Sequence, residues 1–254
     1  MTAPYSEDMD APLAHRVALV TGGGTGIGRA IALRLADEGA NVAVNYSRSR
    51  EDAEATAGAI RERRRGGIAV QADVSRDHEV RAMIDRVVRE WGRLDILVNN
   101  AGTTAFVDQR DLDGLTEEVW DRIFDLNVKG TFYCIRAGAK VMTEGRIINI
   151  GSVAGVSGAG SSIAYAASKG AIHTMTKSLA RALAPKITVN TIAPGLIDTR
   201  WHAGREAENA GRAKRFPVGR IGNPADIAHI ATALATSDNF LTGQIIVVDG
   251  GALL

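Results

Sequence analysis

Residues 16–38 decide the fold of this chain, and they read RVALVTGGGTGIGRAIALRLADE. Arg16–Val20 is a short apolar run and predicts a buried strand. Arg29–Glu38 predicts a helix, because its apolar residues recur at helical spacing. The segment between them, Thr21 to Gly28, holds five glycines. A strand, a glycine-rich turn and a helix in this order indicate the start of a βαβ unit.

The glycines of this turn point to an anion site. Without side chains the backbone can approach a pyrophosphate, and the N-terminus of the next helix offers free N–H donors and a favourable dipole. The spacing T-G-x-x-x-G-x-G differs from the common G-x-G-x-x-G fingerprint. A glycine-rich turn without a ligand is the alternative reading of this segment alone.

Strand-like runs alternate with helical patterns along the rest of the chain. The strand-like runs are Val17–Thr21, Val42–Asn45, Gly67–Gln71, Ile96–Asn99, Arg146–Ile150, Ile187–Thr191 and Ile245–Val248. The helical patterns are Arg29–Glu38, Asp52–Arg65, His78–Trp91, Glu117–Val141, Ala164–Leu183 and Pro224–Ala235. The alternation predicts an α/β fold, a single-domain Rossmann-type doubly wound parallel sheet of about seven strands with helices on both faces.

Polar motif residues follow the ends of several of these strands. Thr21, Asn99, Ser152 and Pro194 each lie at or just beyond a strand end. Ligands of open parallel sheets bind outside the carboxyl ends of the strands, near the point where the strand order reverses. We therefore expect these four residues to surround one cleft.

An acid/base pair is encoded by Ser152 and by Tyr165-Ala166-Ala167-Ser168-Lys169. A tyrosine and a lysine four apart on a helix project from one face. A nearby ammonium favours the phenolate, so we expect Lys169 to lower the pKa of Tyr165. Ser152 can hydrogen-bond the reacting oxygen, which completes a general acid/base site for work near neutral pH.

Composition excludes several classes of protein. The 254 residues carry a formal net charge of +1, which gives no reason to expect nucleic acid or an anionic membrane as a partner. The only cysteine is Cys134, so an internal disulfide is excluded and a reducing, cytoplasmic location is expected. The five histidines are scattered without metal-ligand spacing, and we expect no metal. No apolar run approaches the length of a membrane span.

The N-terminus reads as an extension rather than as part of the domain. Residues 1–14 are polar, acidic and proline-containing, and they do not look like a signal peptide. We expect them to be disordered and residues 15–254 to form the domain.

Together these motifs resemble the short-chain dehydrogenase/reductase family, from about Arg16 to Gly251. The matching residues are Thr21 to Gly28, Asp73-Val74, Asn99-Asn100-Ala101-Gly102, Asn127, Ser152, Tyr165, Lys169 and Pro194-Gly195. The resemblance implies an NAD(P)-dependent oxidoreductase that reversibly transfers hydride between nicotinamide and a carbonyl or secondary alcohol. The implied catalytic residues are Asn127, which holds a proton-relay water, Ser152, which orients the substrate, Tyr165, the acid/base, and Lys169.

The resemblance also implies the cofactor contacts. They are Gly22, Thr25, Gly26, Ile27, Gly28, Tyr46, Ser47, Arg48, Asp73, Val74, Asn99, Ala101, Gly102, Tyr165, Lys169, Pro194, Gly195, Ile197 and Thr199. Asp73 would accept from the adenine amine, Lys169 would bind the nicotinamide ribose, and Ile197 with Thr199 would bind the carboxamide. For some of these residues a purely structural role is the alternative: a turn or helix cap for Asp73, support of the strand for Asn99, a simple turn at Pro194-Gly195, and local helix hydrogen bonding for Asn127.

The end of the second strand favours NADP(H), with NAD(H) as the alternative cofactor. An acid there would repel a 2′-phosphate. The chain instead reads Val44-Asn45-Tyr46-Ser47-Arg48-Ser49, with no acid before Glu51. Tyr46 and Ser47 can donate hydrogen bonds, and Arg48 can make a charge-assisted contact. Thr25 weakens the case, since many NADP-dependent relatives place a basic residue there, and Arg48 could also point into water.

The chain resembles both 3-oxoacyl thioester reductases and sugar or polyol dehydrogenases of the family. A small carbonyl compound or alcohol is the expected substrate, and a 3-oxoacyl thioester is the alternative. Residues 139–145 are poor in basic residues where reductases of carrier-bound substrates usually have a basic cluster. A substrate lid is expected around residues 196–218, and a homotetramer is implied by the family. A non-catalytic, nucleotide-sensing protein is the competing class, but such a protein would be expected to lose Tyr165 or Lys169.

Overall fold

A seven-stranded parallel sheet forms the centre of the molecule, in the order β3-β2-β1-β4-β5-β6-β7. The computed structural model describes residues 11–202, 204, 211, 213–214, 216–236 and 240–254. The strands are β1 Val17–Val20, β2 Asn41–Tyr46, β3 Gly67–Gln71, β4 Ile96–Asn99, β5 Gly145–Ile150, β6 Ile187–Pro194 and β7 Ile245–Val248. All neighbouring strands are parallel. The expected fold class is confirmed.

Helices cover both faces of the sheet. They are α1 Gly26–Asp37, α2 Arg50–Glu62, α3 Asp77–Trp91, α4 Glu117–Phe124, α5 Thr131–Val141, α6 Ala154–Ser157, α7 Ile163–Leu183 and α8 Pro224–Thr236. Helices α1, α2 and α8 pack on one face, where Ile31, Leu35 and Ile227 are buried. Helices α3 and α5 pack on the other, where Met83, Ile84 and Ile135 are buried. Every residue of β1 is buried, as expected for a central strand covered on both sides.

The strand order reverses beside β1, and this opens the binding crevice. The chain builds β1, β2 and β3 outward on one side and then returns to place β4 on the other side of β1. The loops that leave β1 and β4 therefore diverge at the carboxyl edge of the sheet. Thr21 and Asn100, which follow these two strands, stand at that point.

The N-terminal segment departs from the expected extension. Residues 1–10 lie outside the described part of the chain. Within residues 11–14, however, Leu13 is buried in the core beside α1, and its N–H donates to the Glu38 carbonyl at 2.8 Å. An apolar side chain that covers the end of α1 gains more from burial than from exposure, so Leu13 packs with the domain, while the boundary expected at residue 15 stays a prediction.

The helix expected over Glu117–Val141 is interrupted by a π-helical segment, Asp125–Gly130. A π-helical turn contains one residue more than an α-helical hydrogen-bonded turn, and such turns often occur at functional sites. Asn127 lies inside this segment and is 1% exposed. The interruption escaped the sequence pattern because an apolar periodicity of 3.6 barely changes over six residues.

Candidate active site

A cleft of about 570 Å³ runs along the carboxyl edge of the sheet. At one end it is lined by the glycine-rich turn and by the end of β2. At the other end it is lined by Ser152, Tyr165 and Lys169. Of the expected site residues, the cleft is lined by Gly22, Thr25, Gly26, Ile27, Tyr46, Ser47, Arg48, Asp73, Val74, Ala101, Gly102, Ser152, Tyr165, Lys169, Pro194, Gly195, Ile197 and Thr199. The fold thus brings together residues that are up to 177 positions apart in sequence, from Gly22 to Thr199.

Two glycines of the turn occupy positions that exclude a side chain. Gly22 has φ of 59°, in the left-handed region that favours glycine. At Gly28 a Cβ atom would collide with the Gly22 carbonyl oxygen and with Asn100 Nδ2. Gly28 does not line the cleft. Its position allows α1 to pack closely against the turn, which differs from the direct cofactor contact expected from its motif.

Three polar residues that were not among the expected cofactor contacts hold the turn in place. Asn100 Nδ2 donates to the carbonyls of Thr21 and Gly22, each at 3.0 Å. The Thr21 hydroxyl accepts from the N–H groups of Asn100 and Ala101, each at 3.0 Å. Asn45 Oδ1 accepts from the Gly22 N–H at 3.3 Å, and Asn45 Nδ2 donates to the Ala72 carbonyl at 3.0 Å. Their positions in the sequence could have identified them, because each lies at or next to the carboxyl end of a strand, and the ends of these strands meet at the crevice.

The N-terminus of α1 is built to receive an anion. Its N-cap is Thr25, whose side chain makes no capping hydrogen bond, and its first turn contains no acidic residue. The first N–H groups of a helix have no partner within the helix and carry a partial positive charge. Because they border the cleft at Thr25, Gly26 and Ile27, they fit the diphosphate of a dinucleotide.

The part of the cleft where adenosine is expected is polar, and the end of β2 brings no acidic residue to it. Tyr46, Ser47 and Arg48 all line it. Asp73 lies across from them, and its Oδ1 accepts from the Ser75 N–H at 3.0 Å and from the Ser75 hydroxyl at 2.7 Å. Asp73 therefore caps its own turn and also borders the cleft. The two readings of Asp73 are compatible, because a carboxylate accepts several hydrogen bonds.

Asn99 does not line the cleft, although it was expected to contact the adenosine ribose. It is 4% exposed, and its Nδ2 donates to Asn149 Oδ1 at 2.9 Å inside the sheet. Asn149 Nδ2 donates to Thr176 Oγ1 at 3.0 Å, and that hydroxyl lies 2.7 Å from Thr191 Oγ1. A side chain in a parallel strand points into one of the two faces of the sheet, so Asn99 ties β4 to β5 and α7 and does not reach the cleft.

Tyr165 and Lys169 stand on consecutive turns of α7. Lys169 Nζ lies 5.6 Å from the centre of the Tyr165 ring and donates to the Ile150 carbonyl at 2.8 Å. The start of α7 is capped by Ser162, whose hydroxyl accepts from the Tyr165 N–H at 3.2 Å. The Ser152 hydroxyl hydrogen-bonds Tyr165 and also accepts from the Ala154 N–H at 3.1 Å. Serine, phenol and ammonium therefore converge on one end of the cleft.

The pKa of Tyr165 differs from the expectation. Burial raises the pKa of Tyr165, and the hydrogen bond with Ser152 opposes that rise without overcoming it. Burial also lowers the pKa of Lys169 to about 8. The structure does not show the expected lowering of the Tyr165 pKa by Lys169, because the ammonium is directed at the Ile150 carbonyl and the phenol is desolvated.

Asn127 supports the catalytic end from beneath. Its Oδ1 accepts from the Thr103 N–H at 2.8 Å, and its Nδ2 donates to the Thr103 carbonyl and to Ser168 Oγ, each at 3.0 Å. The Ser168 hydroxyl in turn donates to the Tyr165 carbonyl at 2.7 Å. Asn127 therefore joins the loop after β4 to the turn of α7 that holds Tyr165. The relay-water role expected of Asn127 stays a prediction.

The part of the cleft where nicotinamide is expected is bordered by Pro194, Gly195, Ile197 and Thr199. Trp201 follows, and its ring centre lies 6.2 Å from that of Tyr165. Much of the lid expected around 196–218 lies outside the described residues, namely positions 203, 205–210, 212 and 215. Within the described part, Arg200 was not among the expected contacts, yet it lines the cleft beside Trp201.

His173 is a buried histidine one turn beyond Lys169 on α7. It is 8% exposed, and its Nε2 meets no hydrogen-bond partner among the described residues. Burial lowers its pKa to about 4, with further lowering by Lys169 and Lys177 and an opposing hydrogen bond to the Gly155 backbone. The folded chain therefore holds His173 neutral at the pH where an unfolded chain binds a proton.

This arrangement predicts a specific loss of stability in acid. The free energy of unfolding that depends on neutral His173 is fully present above about pH 6.5, the pKa of this histidine in the unfolded chain. It is lost as the pH falls towards about 4, the pKa in the folded chain. The loss should reach about 3 kcal/mol, at about 1.4 kcal/mol per pKa unit. Urea unfolding from pH 7.5 to 4 should show a shallower acid decline for His173→Gln than for wild type, with exposed His78→Gln as the control. Equal slopes for all three proteins would contradict the prediction.

Two features are absent from the described part of the chain. Among residues 11–202 and the described positions beyond them, no group of three or more His, Cys, Asp or Glu side chains could hold a metal ion. No helix there has the length and apolar character needed to cross a membrane.

Comparison with known proteins places the chain in one family. A family model described as enoyl-(acyl carrier protein) reductase matches residues 22–252. The chain is 43% identical to the 3-oxoacyl-(acyl-carrier-protein) reductase FabG of Staphylococcus aureus, over 92% of this chain and 96% of that protein. A short-chain dehydrogenase from Burkholderia cenocepacia in complex with NADP superposes with a TM-score of 0.89 at 38% identity, over 96% of this chain and 100% of that one. A blue fluorescent protein from a metagenomic library, in complex with NADPH, gives a TM-score of 0.88 at 35% identity, over 96% of this chain and 100% of that one.

Proposed function

The chain belongs to the short-chain dehydrogenase/reductase family, and from this premise we propose that it is an NADP(H)-preferring reductase of a small carbonyl compound, with Tyr165 as the proton donor. As a member of this family, the chain is a nicotinamide-dependent oxidoreductase that transfers hydride between its cofactor and a carbonyl or secondary alcohol. The observation that carries the proposal is the meeting of Ser152, Tyr165 and Lys169 at one end of a cleft that has a helix N-terminus without a side-chain cap at the other.

The nicotinamide cofactor supplies the hydride, and the protein supplies position and a proton. Ser152 and Tyr165 share a hydrogen bond, so both can bind the same substrate oxygen. The raised pKa of Tyr165 keeps the phenol protonated, which suits a donor to a carbonyl that becomes an alkoxide. Lys169 Nζ, which is bonded to the Ile150 carbonyl and lies 5.6 Å from the Tyr165 ring centre, would have to turn to the phenolate once the proton has left, and an ammonium close to a phenolate lowers its energy.

The preference for NADP(H) rests on the end of β2. Arg48 lines the cleft next to Tyr46 and Ser47, with no acidic residue among them. A guanidinium bonded to a 2′-phosphate is worth roughly 1.5–3 kcal/mol, which corresponds to about a ten- to hundredfold preference. Two of the solved relatives contain NADP or NADPH, which supports the same choice.

Arg48→Ala should therefore lower kcat/KM for NADPH by about ten- to a hundredfold and leave kcat/KM for NADH nearly unchanged. Steady-state kinetics with both cofactors measure this ratio in wild type and variant. Arg50→Ala, which removes a nearby cation at the start of α2, is the matched control. A wild type that favours NADH, or a ratio unaffected by Arg48→Ala, would contradict recognition of the phosphate by Arg48.

A 3-oxoacyl thioester is the second candidate substrate. It is favoured by the 43% identity to a reductase of 3-oxoacyl-(acyl-carrier-protein). The connection over residues 139–145 holds one lysine and one glutamate and offers little attraction for an acidic carrier protein. We therefore propose a free carbonyl compound as the substrate and a carrier-bound thioester as the alternative.

A screen of NADPH consumption separates these candidates. The panel contains activated ketones, ketoses, polyols in the oxidative direction, and 3-oxoacyl thioesters both free and on a carrier protein. A higher kcat/KM for the carrier-bound thioester than for every free compound would replace our proposal by the second candidate. Binding of NADPH without turnover of any compound would favour the nucleotide-sensing class.

We further propose a homotetramer in a reducing, cytoplasmic setting. Apolar side chains remain exposed on the surface of the single chain, among them Phe132 on α5 and Val247 on β7. Large exposed apolar groups favour burial between subunits. The single cysteine, Cys134, is buried and forms no disulfide. Light scattering of the purified protein tests the subunit number, and cell fractionation tests the location.

A further inference from the structure

Arg200 and Asp52 form an ion pair between two distant parts of the chain. Arg200 Nη2 lies 2.7 Å from Asp52 Oδ1, and Arg200 Nη1 lies 3.0 Å from Asp52 Oδ2. The two residues are 148 positions apart. The bidentate geometry orients both side chains, which a single contact between flexible groups would not do.

The pair stands beside the part of the cleft that fits the diphosphate. Asp52 is in the first turn of α2, and the glycine-rich turn packs against that turn, since a Cβ on Gly24 would lie 3.0 Å from the Ala53 nitrogen. On the other side, a Cβ on Gly26 would lie 3.3 Å from Thr199 Cγ2, next to Arg200. Arg200 itself lines the cleft. The ion pair therefore links the two walls that flank the N-terminus of α1.

We propose that the Arg200–Asp52 ion pair is a strap across the cofactor groove that slows the departure of bound nicotinamide cofactor. The proposal rests on the binding of the cofactor in this cleft. A diphosphate that enters at the start of α1 lies between α2 and the residues Thr199–Trp201. Its release requires these two walls to separate, and the strap must then open.

A direct contact between Arg200 and the diphosphate predicts a different pattern. In that case loss of Arg200 would weaken binding of the cofactor. Loss of Asp52 would strengthen it, because the guanidinium would be freed for the phosphates. A strap instead predicts that loss of either partner speeds release, and that loss of both adds nothing further, since the second change removes a contact already broken.

The experiment measures cofactor release directly. NADPH bound to the whole protein is displaced by excess NADP⁺, and its fluorescence is followed by stopped flow. Asp52→Asn, Arg200→Gln and the double variant should each release NADPH about two- to fivefold faster than wild type, the size expected of an exposed ion pair. Added salt should speed release from wild type and have less effect on the variants, because salt screens exposed charges.

Arg220→Gln is the matched control. Arg220 also forms a bidentate ion pair, with Asp226 at 2.7 and 2.9 Å, but it does not line the cleft. Its release rate should equal that of wild type. Unchanged release in Asp52→Asn, additive effects in the double variant, or opposite effects of the two single changes would overturn the strap. Failure of the wild type to bind either cofactor would overturn the proposed function itself.

Discussion

Tyr165→Phe is expected to lower kcat by a factor of about 10² to 10⁴, the usual contribution of a positioned proton donor. The variant keeps the ring, which lies against Trp201, and loses only the hydroxyl that bonds Ser152. The affinity for cofactor should therefore change by less than about twofold, because the proposed work of this hydroxyl is on the substrate oxygen. Single-turnover kinetics measure the chemical step, and fluorescence titration with NADPH measures the affinity.

Tyr133→Phe provides the control for Tyr165→Phe. Tyr133 lies on α5, away from the cleft, where its ring contacts Arg136. Its variant should keep wild-type turnover. If Tyr165→Phe kept more than about a third of wild-type activity, Tyr165 could not be a proton donor that contributes a hundredfold or more, and the assignment would be wrong.

Lys169→Ala should damage both turnover and cofactor binding. Lys169 is 5% exposed, and its ammonium bonds the Ile150 carbonyl at 2.8 Å at the inner edge of the cleft. Removal takes away the charge that stabilises the phenolate and the proposed donor to the nicotinamide ribose. We expect a fall in kcat of at least about a hundredfold. We also expect a rise in the cofactor Kd of about tenfold, equivalent to one charge-assisted hydrogen bond.

Two further variants separate these effects from loss of folding. Lys169→Met fills most of the space of the lysine stem without the charge, and should show the same losses with a higher melting temperature than Lys169→Ala. Lys177→Ala, two turns later and on the exposed side of α7, should behave as wild type. A Lys169→Met variant that loses turnover but binds NADPH as tightly as wild type would disprove the ribose contact.

The sheet and the cleft were predictable because local patterns encode them. The run Val17–Val20 is apolar at every position, which indicates a strand covered on both faces. The glycine-rich turn that follows it must lie at the carboxyl end of that strand, whatever the rest of the fold. Tyr165 and Lys169 were paired by helical spacing alone. Each of these inferences uses residues that are close in sequence.

What the sequence did not reveal depends on contacts between distant residues. The bond between Asn99 and Asn149 depends on the register of β4 against β5. Burial of Leu13 depends on where α1 ends, and the ion pair of Arg200 depends on the path of the chain after β6. The ionisation of Tyr165 was missed for the same reason. The charge of Lys169 could be read from its spacing, but the desolvation around the phenol comes from residues throughout the fold.

The π-helical segment Asp125–Gly130 carries one residue more than a regular α-helix would need over the same path. Its wider turns absorb that residue, so α5 keeps the orientation in which Cys134 and Ile135 are buried in the core. A chain shortened by one residue in this segment could therefore continue as an α-helix and keep the core. The position that would change is that of Asn127, whose amide bonds Thr103 and Ser168 beside the cleft. The extra residue thus shapes the site rather than the core, whereas Lys129 is open to substitution.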